Sequence, residues 1–138
     1  MSGLLKLSTP GRGEIVDLTD GVGAVVARSD VRHGLVNVFA VGSTVAVTTI
    51  EYEPGAVADL RAALERLLPA GLEYEHNRLN HDTNAHAHLR AAMIGPSETV
   101  PIVDGRLALG TWQQLVLLDL DTRPRERMVH VTVLKNPS

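Results

Sequence analysis

Runs of β-branched and aliphatic residues recur along the chain at the length of strands: Leu35–Phe39, Thr44–Ile50, Leu115–Leu120 and Met128–Leu134. In the last of these Val129, Val131 and Val133 repeat with a period of two, which places them on one face of a sheet. Branched side chains fit a pleated, half-buried surface. Leu35–Phe39 and Thr44–Ile50 are therefore read as central strands, with Gly42-Ser43 as a turn or bulge between them. Two shorter extended runs, Leu4–Ser8 and Glu14–Leu18, flank a Pro- and Gly-containing stretch and are expected to form a hairpin. A second hairpin is expected where Glu98–Val103 and Arg106–Leu109 are joined by Asp104-Gly105, a dipeptide that suits a tight primed turn.

Helical periodicity fills the spaces between these runs. Thr19 or Asp20 can cap a short helix through Val22, Val25 and Val26 that ends near Ser29, weakened by two glycines. Val57, Leu60, Leu64, Leu67 and Leu68 repeat at three- and four-residue intervals, so that helix should bury one face before Pro69 and Gly71 end it. A third helix spans Asn84 to Met93 and closes at Gly95-Pro96. A chain of 138 residues with 44% hydrophobic content suits one domain over 1–138 with its own core.

Chemistry is concentrated between His76 and Arg90, which holds four of the six histidines beside Asp82 and several amides. Imidazole binds metals and moves protons near neutral pH, so the cluster is a candidate site. A helix over Asn84–Met93 puts His86 and His88 about 200° apart, on opposite faces, so a regular helix cannot present both to one ion. Either His88 faces the site and His86 points outward, or the segment is irregular. The bland alternative is a solvated helix face.

Two other segments carry polar candidates. Trp112 is the sole tryptophan and follows Gly110-Thr111, next to Gln113; a core plug is the default reading and a ligand platform the sharper one. Asp121-Thr-Arg123-Pro-Arg125-Glu-Arg127 is either a solvated hairpin tip or an anion clamp, because guanidinium forks match phosphate oxygens.

Net charge and cysteine usage exclude several classes. A formal charge of -3 without long basic runs argues against nucleic-acid binding, which needs a concentrated positive footprint. With no cysteine, any metal must rest on His nitrogen and carboxylate oxygen. The first residues contain no apolar run suited to a signal or membrane segment, so a soluble, cytoplasmic protein without a membrane partner is expected.

The order Gly34-Leu, Glu51-Tyr-Glu-Pro54, Tyr74-Glu-His76, Asp82-Thr-Asn-Ala-His-Ala-His88-Leu, Pro101-Ile-Val-Asp-Gly-Arg-Leu, Leu109-Gly-Thr-Trp-Gln113 and Arg125-Glu-Arg127 resembles the YjbQ family, also called UPF0047. The resemblance covers most of the chain. It implies an α+β fold, mainly antiparallel sheet with two to three short helices, and a homotrimer with clefts near subunit boundaries. It also implies a secondary thiamine-phosphate synthase activity. The candidates it supplies are Glu51, His76 and Asp82 for catalysis, and Thr111, Trp112, Gln113, Arg125 and Arg127 for a phosphate-containing small molecule. His76, Asp82 and His88 are its candidate ligands for a divalent metal, Zn or Mg.

The chain also departs from that pattern. Gly42-Ser43-Thr44 stands where the family has His-Thr-Thr, Ile50-Glu51 where it has Asn-Glu, and Asp82-Thr83 where it has paired acids. These losses of polarity point toward weakened catalysis, since Gly and Ile cannot do the work of imidazole or amide. Three readings follow: a trimer whose pocket binds a metal or phosphate compound, an enzyme joining a pyrimidine diphosphate to a thiazole phosphate, and a structural trimer without ligand.

Overall fold

In the computed structural model, which describes residues 1–137, the strand runs divide between two antiparallel sheets. The elements are β1 (Ser2–Thr9), β2 (Glu14–Asp17), α1 (Thr19–Ser29), β3 (Gly34–Val41), β4 (Val45–Ile50), α2 (Pro54–Leu67), α3 (Glu75–Asn80), α4 (Ala85–Ile94), β5 (Ser97–Val103), β6 (Arg106–Leu107), β7 (Gln114–Asp119) and β8 (Arg125–Lys135). One sheet has the order β1-β8-β3-β5-β6 and the other β2-β7-β4. The α+β class and the antiparallel pairing are as expected.

Two apolar clusters organise the layers. Val36, Val38 and Ala40 of β3 and Val129, Val131 and Val133 of β8 face Val45, Val47, Leu115 and Leu117 of the smaller sheet, with Val22, Val25 and Val26 of α1 closing the same core. The opposite face of the smaller sheet, through Ile15, Ala46, Val116 and Leu118, packs on Leu64 of α2 and Ala87 and Ala91 of α4. The smaller sheet is thus covered on both sides, which is why Leu115–Leu118 are apolar without alternation and have no measurable exposure. The strands with period-two burial, β1, β3, β5 and β8, belong to the larger sheet, whose outer face is open.

Several sequence expectations change. Leu4–Ser8 and Glu14–Leu18 do not form a hairpin: β1 pairs with β8 from Ser2↔Thr132 to Thr9↔Arg125, and β2 pairs with β7. The intervening turn carries the chain from one sheet to the other, because Leu5 and Leu7 pack on the first cluster and Ile15 belongs to the second. Gly11 is required there: its φ is +73°, and a Cβ would lie 2.4 Å from the Arg123 carbonyl oxygen. Gly42-Ser43 likewise joins strands of different sheets, so β3 is central but β4 is an edge strand, partly covered where the Val47 N–H donates to the Gly95 carbonyl. Residues 120–124 pass from β7 to β8 between the sheets and are not a hairpin tip. The Asp104-Gly105 hairpin is observed, with Ile102↔Leu107 and Val103↔Arg106 paired.

Four helices are described, not two to three. The extra one, α3, is a six-residue turn ended by His81 in the left-handed region, too short to show periodicity. Helix α2 begins earlier than its apolar repeat, at Pro54, because the Glu53 carboxylate caps the Gly55 and Ala56 N–H groups. Its buried face is narrow: Leu64 is buried while Leu67 is 71% exposed. No described helix is long and apolar enough to cross a membrane.

Candidate functional site

Where β4 begins and β7 ends, Val45 pairs with Asp119, and a buried polar lattice fills the junction of the two sheets. Arg127, 6% exposed, donates from Nε to Asp119 Oδ2 at 2.9 Å and from Nη2 to Asp119 Oδ1 at 2.8 Å. Its Nη2 also donates to Thr44 Oγ1 at 2.8 Å, and the Thr9 hydroxyl donates to Asp119. Two residues earlier, Arg125 donates to Asp121 Oδ2 through Nε and Nη2 at 3.2 and 2.9 Å. Asp121 further accepts from Thr44 Oγ1, the Thr122 N–H and Asn84 Nδ2. Burial pushes the Asp121 carboxyl upward, but the bonds from Thr122, Thr44, Arg125 and Asn84 together outweigh it and hold the acid well below the usual carboxylate range.

Asn84 precedes α4, so the lattice fixes that helix against the sheets through its first turn. Its two histidines diverge, as the helical spacing required. His88 faces His76 of α3, with ring centroids 4.6 Å apart and planes tilted by 48°. The pair is held by Asn77, whose Oδ1 lies 3.2 Å from His76 Nδ1 and accepts from the Ala85 N–H at 3.0 Å. Beside His88 a cavity of about 370 Å³ is lined by Gly42, Ser43, Val45, Ala91, Ala92 and Pro96. His86 turns to the other side and is buried at 7% exposure; it does not point outward. Burial lowers its pKa, the Arg90 guanidinium lowers it further, and the Glu65 and Asp121 carboxylates oppose the shift.

The remaining sequence candidates separate. Asp82 is exposed and its Oδ1 accepts from the adjacent Thr83 N–H. Among the described residues no three His, Asp or Glu side chains are grouped to hold a metal, so His76 and His88 come together and Asp82 does not complete a triad within one chain. His81 is also exposed, as the left-handed residue that ends α3. Arg125 and Arg127 are not a free anion clamp, since each makes a two-nitrogen ion pair with its own aspartate. Trp112 is 73% exposed and is no core plug.

Glu51, Thr111, Trp112 and Gln113 lie at the opposite end of the smaller sheet, where Ile50 pairs with Gln114. Gln113 Nε2 donates to Thr49 Oγ1 and its Oε1 accepts from the Gly110 N–H, which orders that corner. From Val45 to Ile50 the strand rises roughly 17 Å, so the two groups of candidates lie apart in one chain.

Sequence reasoning missed the bonded lattice of Thr9, Thr44, Asn84, Asp119 and Asp121, and the separate buried neighbours His86 and Arg90. One signal was available: acids ending a continuous apolar strand must be paired if buried, and Arg125 and Arg127 share their spacing of two.

A family model described as UPF0047 protein YjbQ-like matches residues 4–136. A UPF0047 protein of Archaeoglobus fulgidus is 44% identical over 130 residues, covering 94% of this chain and 98% of its own length. Another, of Methanothermobacter thermautotrophicus, is 40% identical over 133 residues, covering 96% and 91%. Among solved structures, a hypothetical protein from Aeropyrum pernix superposes with a TM-score of 0.91 at 34% identity, each chain covered to 99%. A protein of unknown function from Sulfolobus solfataricus gives 0.89 at 30% identity, also covering 99% of each chain.

Proposed function

The chain belongs to the YjbQ-like UPF0047 family, and on that premise we propose that it is a trimeric binding protein whose His76–His88 pair takes a divalent metal ion. The observation that carries this reading is the 4.6 Å separation of the two rings. Two imidazoles on one ion, with metal–nitrogen distances of about 2.1 Å, hold their ring centres roughly 5 Å apart. The donor set fits a two-histidine site with other positions left to water or a ligand. It does not fit a closed structural zinc site or a three-ligand catalytic one, so no catalytic step is assigned to the ion.

Metal analysis after loading with Zn and dialysis tests the reading. The wild-type protein is expected to retain the ion, and His88→Ala to lose it at least about tenfold in affinity while keeping its circular dichroism. Equal retention by the two proteins would remove the His pair from consideration.

The thiamine-phosphate synthase reading has less support. Arg125 and Arg127, which that reading assigns to pyrophosphate, are bound to Asp121 and Asp119, and Trp112 lies at the far end of the sheet from them.

Trimer formation rests on the outer face of the larger sheet. Leu4, Leu35, Phe39, Val41, Met128 and Leu134 point there with exposures between 41% and 61%, and Leu35 pairs with Leu134 as Val41 does with Met128. Asn37, His130 and Thr132 share this face, and the exposed apolar side chains among them suit the mixed surface of an interface of roughly 800 Å² per partner. A closed ring also offers a way for the two groups of candidates separated within one chain to meet across a boundary. Light scattering is expected to give three times the chain mass. A monomer mass independent of concentration rejects the trimer, and Phe39→Glu should dissociate it.

A further inference from the structure

We propose that the cavity on the His86 side of α4 is a binding site for a small oxyanion, a phosphate group. It stands apart from the His76–His88 reading, since the two histidines leave opposite faces of the helix. The cavity, of about 390 Å³, lies among Arg12, Thr83, His86, Arg90, Asp121 and Thr122, with Glu65 at its side.

Both acids are already engaged: Glu65 accepts from Arg90 Nη2 at 2.7 Å and from the Ala70 N–H, and Asp121 accepts from Thr44, Asn84, Thr122 and Arg125. The donors are not. The Arg12 side chain is exposed, and among the described residues no acceptor engages it. Arg90 uses Nε and Nη2 on the Leu68 carbonyl and Glu65, leaving Nη1. The exposed Thr83 hydroxyl has no partner among the described residues either.

His86 supplies an independent observation. It is more than nine-tenths buried, yet its Nδ1 finds no hydrogen-bond partner. Such an orphaned buried group is uncommon and calls for a ligand or ordered water. With the proton of His86 on Nδ1, the cavity presents unused donors beside engaged carboxylates and selects a partner that brings acceptors alone, which is what phosphate oxygens are. Thr83 adds an uncharged hydroxyl to the wall. Arg12 is held at the rim by its backbone: its N–H donates to the Asp121 carbonyl and that of Gly13 to the Asp119 carbonyl.

The test is a titration of the folded full chain with inorganic phosphate, read on the His86 ring by NMR. Saturable shifts at His86 are expected at millimolar phosphate. The bound anion should raise the His86 pKa, since it favours imidazolium against Arg90 and adds to the effect of Glu65 and Asp121. Arg12→Asn, which keeps a residue tolerant of the left-handed φ of 59°, should weaken binding about tenfold. Glycerol phosphate separates the sources: tighter binding than inorganic phosphate identifies a phosphomonoester ligand, and equal binding identifies free phosphate. Absence of saturable shifts at His86, or unchanged affinity in Arg12→Asn, overturns the proposal.

Discussion

Arg127→Ala is expected to cost about 3–5 kcal/mol of folding stability, the range for removing one member of a buried ion pair. The guanidinium is 6% exposed and Asp119 fully enclosed, so the variant leaves a carboxylate without its two-nitrogen partner and out of reach of water. Thr44 Oγ1 loses its donor at the same time, and with it one tie between β8 and the start of β4. The double replacement Asp119→Leu, Arg127→Met separates charge from packing: it removes both charges at similar volume and should recover much of the loss. Urea denaturation of the three proteins decides it. A loss below about 1 kcal/mol for Arg127→Ala means that the pair is solvated in solution, because exposed pairs contribute only that much.

This lattice also marks where the sequence stopped being informative. Strand positions were legible because Val129, Val131 and Val133 alternate and Leu115–Leu118 do not, and each pattern reports how many faces a strand buries. Strand partners were not legible, since a period of two says nothing about which neighbour completes the ladder. Thr9–Gly13 has the composition of a hairpin turn, yet it connects two sheets because Leu5 and Ile15 belong to different cores. Charges suffered most from the missing topology. Arg125 and Arg127 read in isolation as a solvated tip or an anion clamp, and the return of β8 past the end of β7 reveals that Asp121 and Asp119 neutralise them. The opposite faces of His86 and His88 were legible, because helical spacing is local. Their destinations depended on α3 and α2, which no local rule places beside α4.

Gly42→His, the change that restores the imidazole of the family pattern, is expected to destabilise the protein by about 2–4 kcal/mol and to restore nothing. Position 42 has a φ of +144°, a region that residues with a side chain rarely adopt. A Cβ there would also stand 2.8 Å from Arg127 Nη1 and 3.1 Å from Val45 Cγ1. The histidine must therefore either move the backbone between β3 and β4 or displace Arg127 from Asp119, and the second route carries the penalty of the first prediction. The His76–His88 pair should consequently hold metal no more tightly in the variant. Adding Ile50→Asn makes matters worse, because Ile50 packs against the cluster beneath α2 and α4 and an amide there loses that contact. Wild type and double variant alike are then expected to make little or no thiamine phosphate from its two precursors. The measurements are the denaturation midpoint, zinc affinity, and product formation beside a UPF0047 relative that carries both His and Asn. If Gly42→His keeps the wild-type midpoint and gains metal affinity or synthase activity, the backbone at 42 adapts freely and the missing imidazole was the sole defect. If stability falls as expected, the loss at 42 is built into the crossover between the sheets, where the glycine conformation and the enclosed Arg127 require each other.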